Sequence, residues 1–279
     1  MTSPLGIVAG GGDLPRAVAV AARDSGRGVF VLALAGLAGD WVDAFAHERA
    51  SVGEAGKIVR ALGKHDCHDV LLAGQVDRPR IGAMKLDAKG ALLMPRVAAA
   101  ALQGDDALLR LLVQFFEEHG HRVVGVAEAA PSLLAPDGPV GRFRPNTEHL
   151  RDIAHGFAVV KRLGELDVGQ GAVVCAGLVL AVEAAQGTDV MLEQVAALPE
   201  GLRGTERKRR GVLVKAPKPI QDGKTDLPVV GISTVRNAAA AGLAGIAVQS
   251  GAALIVDRAE VAMMADHIGL FVAGASAGL

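Results

Sequence analysis

What most limits the folds open to this chain is an alternation of texture repeated along its length: short Val/Leu/Ile runs give way to small-residue helical stretches, with glycine or proline between. Leu5–Ala9 is a short apolar run, followed by Gly10-Gly11-Gly12 and then Asp13-Leu14-Pro15. Asp is a good helix N-cap and Pro is tolerated in a first turn, so a helix is predicted to about Arg23, stopped by Gly26 and Gly28. Val29–Ala33 is the next strand. The alternation continues with helices at Glu54–Lys64 and Asp105–His119 and strands at Val70–Ala73 and Val123–Val126. Short strands joined by helical crossovers indicate a parallel sheet and an α/β class.

The texture changes over PSLLAPDGPVGRFRP, Pro131 to Pro145, where four prolines and several turn signals mark a connection between domains. Beyond it, a helix over Thr147–Leu163 precedes strands at Ala172–Cys175 and Leu178–Val182. A further helix runs from Gly187 or Thr188 to about Ala197. Strands at Gly211–Lys215, Val229–Ile232, Gly245–Val248 and Ala253–Val256, with helices at Thr234–Ala241 and Arg258–His267, complete the pattern. The predicted architecture is two α/β domains, residues 1–132 and 147–279, joined by a linker at 133–146, with a ligand cleft between them. The first domain, with its glycine-rich βα turn, is Rossmann-like; the second is the catalytic one.

Composition excludes several classes. With 29 basic and 30 acidic residues the net charge is −1, so nothing points to nucleic acid. Two cysteines without CxxC spacing exclude a cysteine zinc knuckle and fit a reducing compartment. The apolar run Ala172–Val182 is shorter than the ~20 residues of a membrane span. Without a leader pattern the chain reads as cytoplasmic. The histidine pairs His65/His68 and His119/His121 show no zinc-enzyme spacing and read as surface residues, and no GxSxG is present.

Several segments carry possible chemistry. Glycines before a helix let a phosphate approach exposed N–H groups, although Pro15 occupies the place of the third glycine of a dinucleotide fingerprint. A tight turn without a ligand explains the same residues. In VKAPKPIQDGKTDLP, Lys215, Lys218 and Lys224 alternate with Asp222 and Asp226 beside Gln221. Carboxylates suit Mg²⁺ and lysines suit phosphate oxygens, while a solvated, salt-bridged loop remains the alternative. In LAVEAAQGTDVML, Glu183 ends an apolar strand and Thr188 and Asp189 open a helix. A buried carboxylate there needs a partner or a cation, whereas Asp189 also suits a purely structural helix-start charge. Asp105 and Asp106 read as helix-start residues, and RGTERKRR (203–210) as a solvated loop, with attraction to anionic lipid as the alternative.

Six blocks in register give the chain a likeness to a known family. They are LGIVAGGGDLPRAVA, AGQVDRPR, GDDALLRLL, RVVGVAEAAPSLLAPDG, LGELDVGQGAVVCAGLVLAVEAAQGTDVML and VKAPKPIQDGKTDLPVVGIST. The sequence resembles the LpxI family of UDP-2,3-diacylglucosamine pyrophosphatases over nearly its whole length. The resemblance implies a Mg²⁺-dependent hydrolase of lipid A biosynthesis that releases UMP and lipid X, 2,3-diacylglucosamine 1-phosphate. It implies Asp226 as metal ligand and catalytic residue; the charge of a pyrophosphate then leads one to expect help from Asp222 or a neighbouring acid, with Lys215 on the phosphate oxygens. Gly11, Gly12, Asp13, Leu14, Gln75, Gln170, Thr188, Asp189 and Thr234 are then expected at the substrate. The sequence departs at Lys224, where the family leads one to expect arginine. The implied partner is a lipid-linked sugar nucleotide at the inner face of the inner membrane, with a homodimer left open. Burying acyl chains is worth ~0.8 kcal/mol per methylene, so an apolar cleft and movement about Pro131–Pro145 are expected. A non-catalytic sugar-nucleotide-binding regulator, or another nucleotide-sugar enzyme, is the competing reading.

Overall fold

The structure, a computed structural model, describes residues 3–76, 85–219 and 227–276, with the side chains of Asp105 and Asp106 outside the description. Contacts group the chain into two units, Met1–Ser132 and Leu133–Leu279.

The first unit runs β1 (Leu5–Ala9), α1 (Leu14–Asp24), β2 (Val29–Leu34), β3 (Ala46–Ala50), α2 (Ala55–Lys64), β4 (Asp69–Ala73), α3 (Ala88–Ala101), α4 (Asp105–Glu117), β5 (Arg122–Val123) and α5 (Val126–Ala129). Its sheet has the order β3-β2-β1-β4-β5 with every pair parallel. Alternate strand residues serve opposite faces. Val8, Phe30, Leu32 and Val70 pack with Ile58 and Leu62 of α2 and Phe115 and Phe116 of α4. Ile7, Val31 and Leu71, of opposite parity, are equally buried, as are Val18 and Ala22 of α1. The order reverses between β1 and β4, and α/β sheets bind ligands at such a reversal, beyond the carboxyl ends of the strands.

Two local expectations change here, and one helix was not foreseen. The predicted strand Val123–Val126 ends at Val123, because α5 starts at Val126. His121 is buried rather than on the surface, with Nδ1 2.8 Å from the Cys67 carbonyl oxygen, and His65 stacks on Phe30 at 3.9 Å. In α3 only Gly90 is buried, although the helix is mostly apolar; Leu92 is 79% exposed.

The second unit runs β6 (Gly138–Pro139), α6 (Thr147–Glu165), β7 (Gly171–Cys175), β8 (Leu178–Val182), α7 (Gly187–Ala196), β9 (Val212–Lys215), β10 (Val229–Val230), α8 (Ile232–Ala240), β11 (Gly245–Gln249), β12 (Leu254–Ile255), α9 (Arg258–Ile268) and β13 (Phe271–Ala275). Its main sheet, β6-β13-β11-β9-β7-β8, is mixed rather than parallel throughout. At the β7–β8 edge the physical reason is a two-residue turn. Ala176 (φ 51°) and Gly177 (φ 79°) are left-handed, which suits a tight hairpin and makes β7 and β8 antiparallel. Buried Asp152 of α6 fixes that turn, its carboxylate accepting from Ala176 N at 3.0 Å and Gly177 N at 2.8 Å. The predicted strand Val229–Ile232 stops at Val230, since α8 starts at Ile232.

The stretch after Ser132 is woven into this unit. Ala135 N donates to the Ala253 carbonyl at 2.8 Å, Val140 N to that of Val272 at 2.8 Å, and β6 pairs with β13. On one face of the main sheet Leu213 and Val173 pack with Met191 and Leu192 of α7 and Val235 of α8. On the other, Val212 and Val214 pack with Ile153 and Phe157 of α6.

Candidate functional site

In the first unit the carboxyl ends of β1 and β4 are zipped together. Gly11 N donates to the Gln75 carbonyl at 2.8 Å and Gln75 N to that of Gly11 at 2.9 Å. Gly10 and Gly74 are glycine because backbone meets backbone there: a Cβ on Gly74 falls 2.5 Å from Gly11 O, and one on Gly10 falls 2.6 Å from Gln75 O. Gly12 differs. Its φ of 84° calls for glycine, and nothing lies within 4 Å of where its Cβ points. Asp13 occupies the N-cap position of α1 but makes no side-chain capping bond, so its exposed carboxylate is not absorbed by the helix. Leu14 is the first residue of α1. The structure therefore collects Gly11, Gly12, Asp13, Leu14 and Gln75 at one strand-end turn.

In the second unit a cation is buried where β9 ends. Lys215 is 4% exposed, and its Nζ donates to Thr188 Oγ1 at 2.6 Å, in the first turn of α7. Its second neighbour is the Glu183 carboxylate just past β8, whose Oε2 is 3.7 Å from Nζ. Beside them Gln170 binds the end of β9 through its backbone, its carbonyl accepting from Ala216 N at 3.1 Å, and its side-chain Oε1 is buried. Neither Gln170 Oε1 nor Glu183 Oε2 accepts a hydrogen bond among the described residues. Gly169 allows this crowding, since a Cβ on it falls 1.9 Å from Glu183 O.

Other expected residues have visible local partners. Asp189 is exposed and accepts from Asn237 Nδ2 of α8 at 2.9 Å. Thr234 is buried, its Oγ1 accepting from Gly231 N at 3.3 Å to cap α8. The basic run is partly absorbed: Arg203 Nε donates to Leu198 O at 2.8 Å, Arg209 Nη1 to Ala239 O at 2.9 Å, and Arg210 sits 3.6 Å from Glu148. Both cysteines are buried, and burial pushes the Cys67 thiol up to about 11.

Asp222 and Asp226, expected to hold Mg²⁺, lie outside the described residues. Among the described residues no group of three His, Cys, Asp or Glu side chains is placed to hold a metal. Among the described residues the carboxylate beside Lys215 is that of Glu183, at 3.7 Å from Nζ. The described side chains alone therefore do not compose a Mg²⁺ site.

The chain is thus an α/β protein of two units, the first with an open, glycine-lined helix start and the second with a buried lysine hydrogen-bonded at a strand end. The LpxI N-terminal domain family matches residues 4–133 and the LpxI C-terminal domain family matches residues 136–273. The chain is 46% identical over 270 residues to the UDP-2,3-diacylglucosamine pyrophosphatase LpxI of Caulobacter vibrioides, covering 97% of this chain and 96% of that one. The chain belongs to the LpxI family. Sequence reasoning placed no role on Gly171 and left Glu183 open; the available signal was a carboxylate closing an apolar strand.

Proposed function

We propose that this chain hydrolyses the pyrophosphate bond of UDP-2,3-diacylglucosamine, releasing UMP and 2,3-diacylglucosamine 1-phosphate in lipid A biosynthesis. The observation that carries the reading is the buried Lys215 ammonium at the end of β9, in a chain matching nearly the full length of a relative bearing that activity's name.

A pyrophosphate diester carries two negative charges that repel a nucleophile. A cation fixed in a low-dielectric setting offsets charge as it develops, without reorganising at the moment of reaction. Thr188 holds the Lys215 ammonium by a short hydrogen bond, so its position is set before substrate arrives. Gly12, with open space where a side chain would stand, leaves room for a phosphate at the α1 N-terminus, with Gly11, Asp13 and Leu14 beside it. Gln75, Gln170, Thr188, Asp189 and Thr234 would supply polar contacts to the sugar, uracil or phosphate. Asp226, with Asp222, would hold Mg²⁺. When bound, the ion supplies Lewis-acid polarisation of a phosphoryl oxygen.

Among the described residues no helix is long and apolar enough to cross a membrane. Contact with the inner membrane surface is proposed because the substrate carries two acyl chains, and the exposed apolar α3 supports it.

The test is incubation of purified protein with UDP-2,3-diacylglucosamine and Mg²⁺, with UMP read by chromatography. UMP should appear, stop on chelation and resume with added Mg²⁺; Asp226→Ala should bind substrate without turnover. Absence of UMP from the wild type overturns the activity. Turnover indifferent to chelator overturns the metal requirement.

A further inference from the structure

Lys215, Gly171 and Glu183 stand in one row across three adjacent strands. Lys215 lies directly opposite Gly171 on β7, and Glu183 N donates to the Gly171 carbonyl at 2.8 Å from the far side. The row continues the facing residues Leu213, Val173 and Ala181. Neighbouring strands are ~4.8 Å apart, so side chains one strand removed from each other meet only if the strand between gives way. Here it does. A Cβ on Gly171 would fall 2.4 Å from Glu183 Oε2. The carboxylate thus occupies the place of the side chain that Gly171 lacks, and from there reaches to 3.7 Å from Lys215 Nζ.

Both side chains are almost entirely buried, Lys215 with 5% and Glu183 with 10% of the side chain exposed. Burying either charge alone is costly, and pairing them offsets that cost. At 3.7 Å the contact is electrostatic, because it exceeds hydrogen-bond length. Direction comes from Thr188, whose Oγ1 accepts at 2.6 Å. We infer that Glu183 is a positioning residue for Lys215, holding its ammonium in place and protonated through a gap in the sheet that Gly171 keeps open. The inference rests on the reading of Lys215 as the cation that faces the diphosphate.

Among the described residues the charged groups around Lys215 are few. Glu183 faces it from the end of β8. Asp189 on α7 is exposed and bonded to Asn237. Next to it β7 presents Gly171, and β11 presents Val248, neither titratable. Helix α6 packs on the opposite face, against Val214. Lys218, three residues on, is paired with Asp167 at 2.8 Å.

The test uses the full chain carrying Glu183→Gln or Gly171→Ala. The first keeps the shape and removes the charge. The second keeps the charge, displaces the far end of the flexible Glu183 side chain and presses on its Cβ at 3.3 Å, and it serves where the first fails to fold. The ¹³Cε resonance of Lys215, assigned by its absence from Lys215→Arg protein, reports the charge of the ammonium without any substrate. Loss of an opposite charge at this range should lower its titration midpoint by about one unit or more. The alkaline limb of the pH profile for UDP-2,3-diacylglucosamine hydrolysis should move down with it, and lowering the pH should restore the lost rate. Losses in kcat from Gly171→Ala and Glu183→Ala should fall well short of additive, because the gap has no tenant once the carboxylate is gone. An unchanged Lys215 midpoint in Glu183→Gln, or in Gly171→Ala if Glu183→Gln does not fold, overturns the positioning role. A wild type that releases no UMP overturns the functional reading instead, and the resonance still decides the role of Glu183.

Discussion

Two strand-end glycines, one in each unit, do opposite things with the side chain they lack. Gly74 lets backbone approach backbone, and a Cβ there would stand 2.5 Å from the Gly11 carbonyl oxygen. Gly171 lets a side chain cross a strand, and its Cβ would stand 2.4 Å from a carboxylate oxygen. The clearances are nearly equal, but the neighbours differ in compliance. A carbonyl held in a ladder cannot move without breaking its pairing, whereas a carboxylate swings on its own torsions. The acidic groups of the units divide in the same way. Asp69 opens β4 at the end of the sheet remote from the glycine turn, and accepts from Arg27 Nη2 at 2.7 Å and Arg122 Nε at 2.8 Å. Glu183 sits at a carboxyl strand end, its Oε2 accepting nothing among the described residues and balanced only by a buried ammonium. A fully hydrogen-bonded carboxylate is what a fold uses to hold itself. Glu183, held by charge beside a cation at a strand end, is the carboxylate that the proposed reading gives the task of holding a reactive group.

Breaking the first glycine should have the largest effect on stability. Gly74→Ala combines an obstructed Cβ with a left-handed φ of 92°, and should cost about 3 kcal/mol, read as a lower denaturation midpoint of the first unit. An unchanged midpoint breaks the contrast with Gly171. The smaller effect belongs to the arginine-bound acid. Hydrogen bonds from Arg122 and Arg27 hold the Asp69 carboxyl below the usual range. Its contribution is present in full above the unfolded carboxylate pKa of about 3.9 and is lost as pH falls through the lower folded value. Asp69→Asn should therefore cost about 1 kcal/mol at neutral pH, after allowance for the exposed Arg122, with the difference from wild type vanishing in acid. Denaturant titrations at both pH values check this, and a cost that persists in acid assigns it to something other than charge.

The strands of the first unit that lie inside its sheet were legible because they are short apolar runs with glycine close by, as Leu5–Ala9 and Val29–Leu34 show. Its edge strand, AHERA at 46–50, was not, since an edge admits His, Glu and Arg side chains that the apolar pattern excludes. Helix α3 hid for a related reason: it contains Pro95 and buries only Gly90, so no apolar stripe marks it. Strand β13 was not predicted, and its Gly274 is required by a close approach of the Pro136 carbonyl oxygen. Of the second site, Lys215 and Thr188 were legible from their places at a strand end and a helix start. Glu183 announced only that it needed a partner. That the partner is Lys215, reached over Gly171, depends on the register of three strands, which no local pattern encodes.

The most direct measurement is UMP release from UDP-2,3-diacylglucosamine by Lys215→Met beside the wild type, at a temperature where both are folded by circular dichroism. Removing one fixed charge-stabilising donor costs about a hundredfold or more in kcat, and that loss is expected here. Turnover at the wild-type rate would contradict the claim that the buried ammonium at the end of β9 faces the diphosphate.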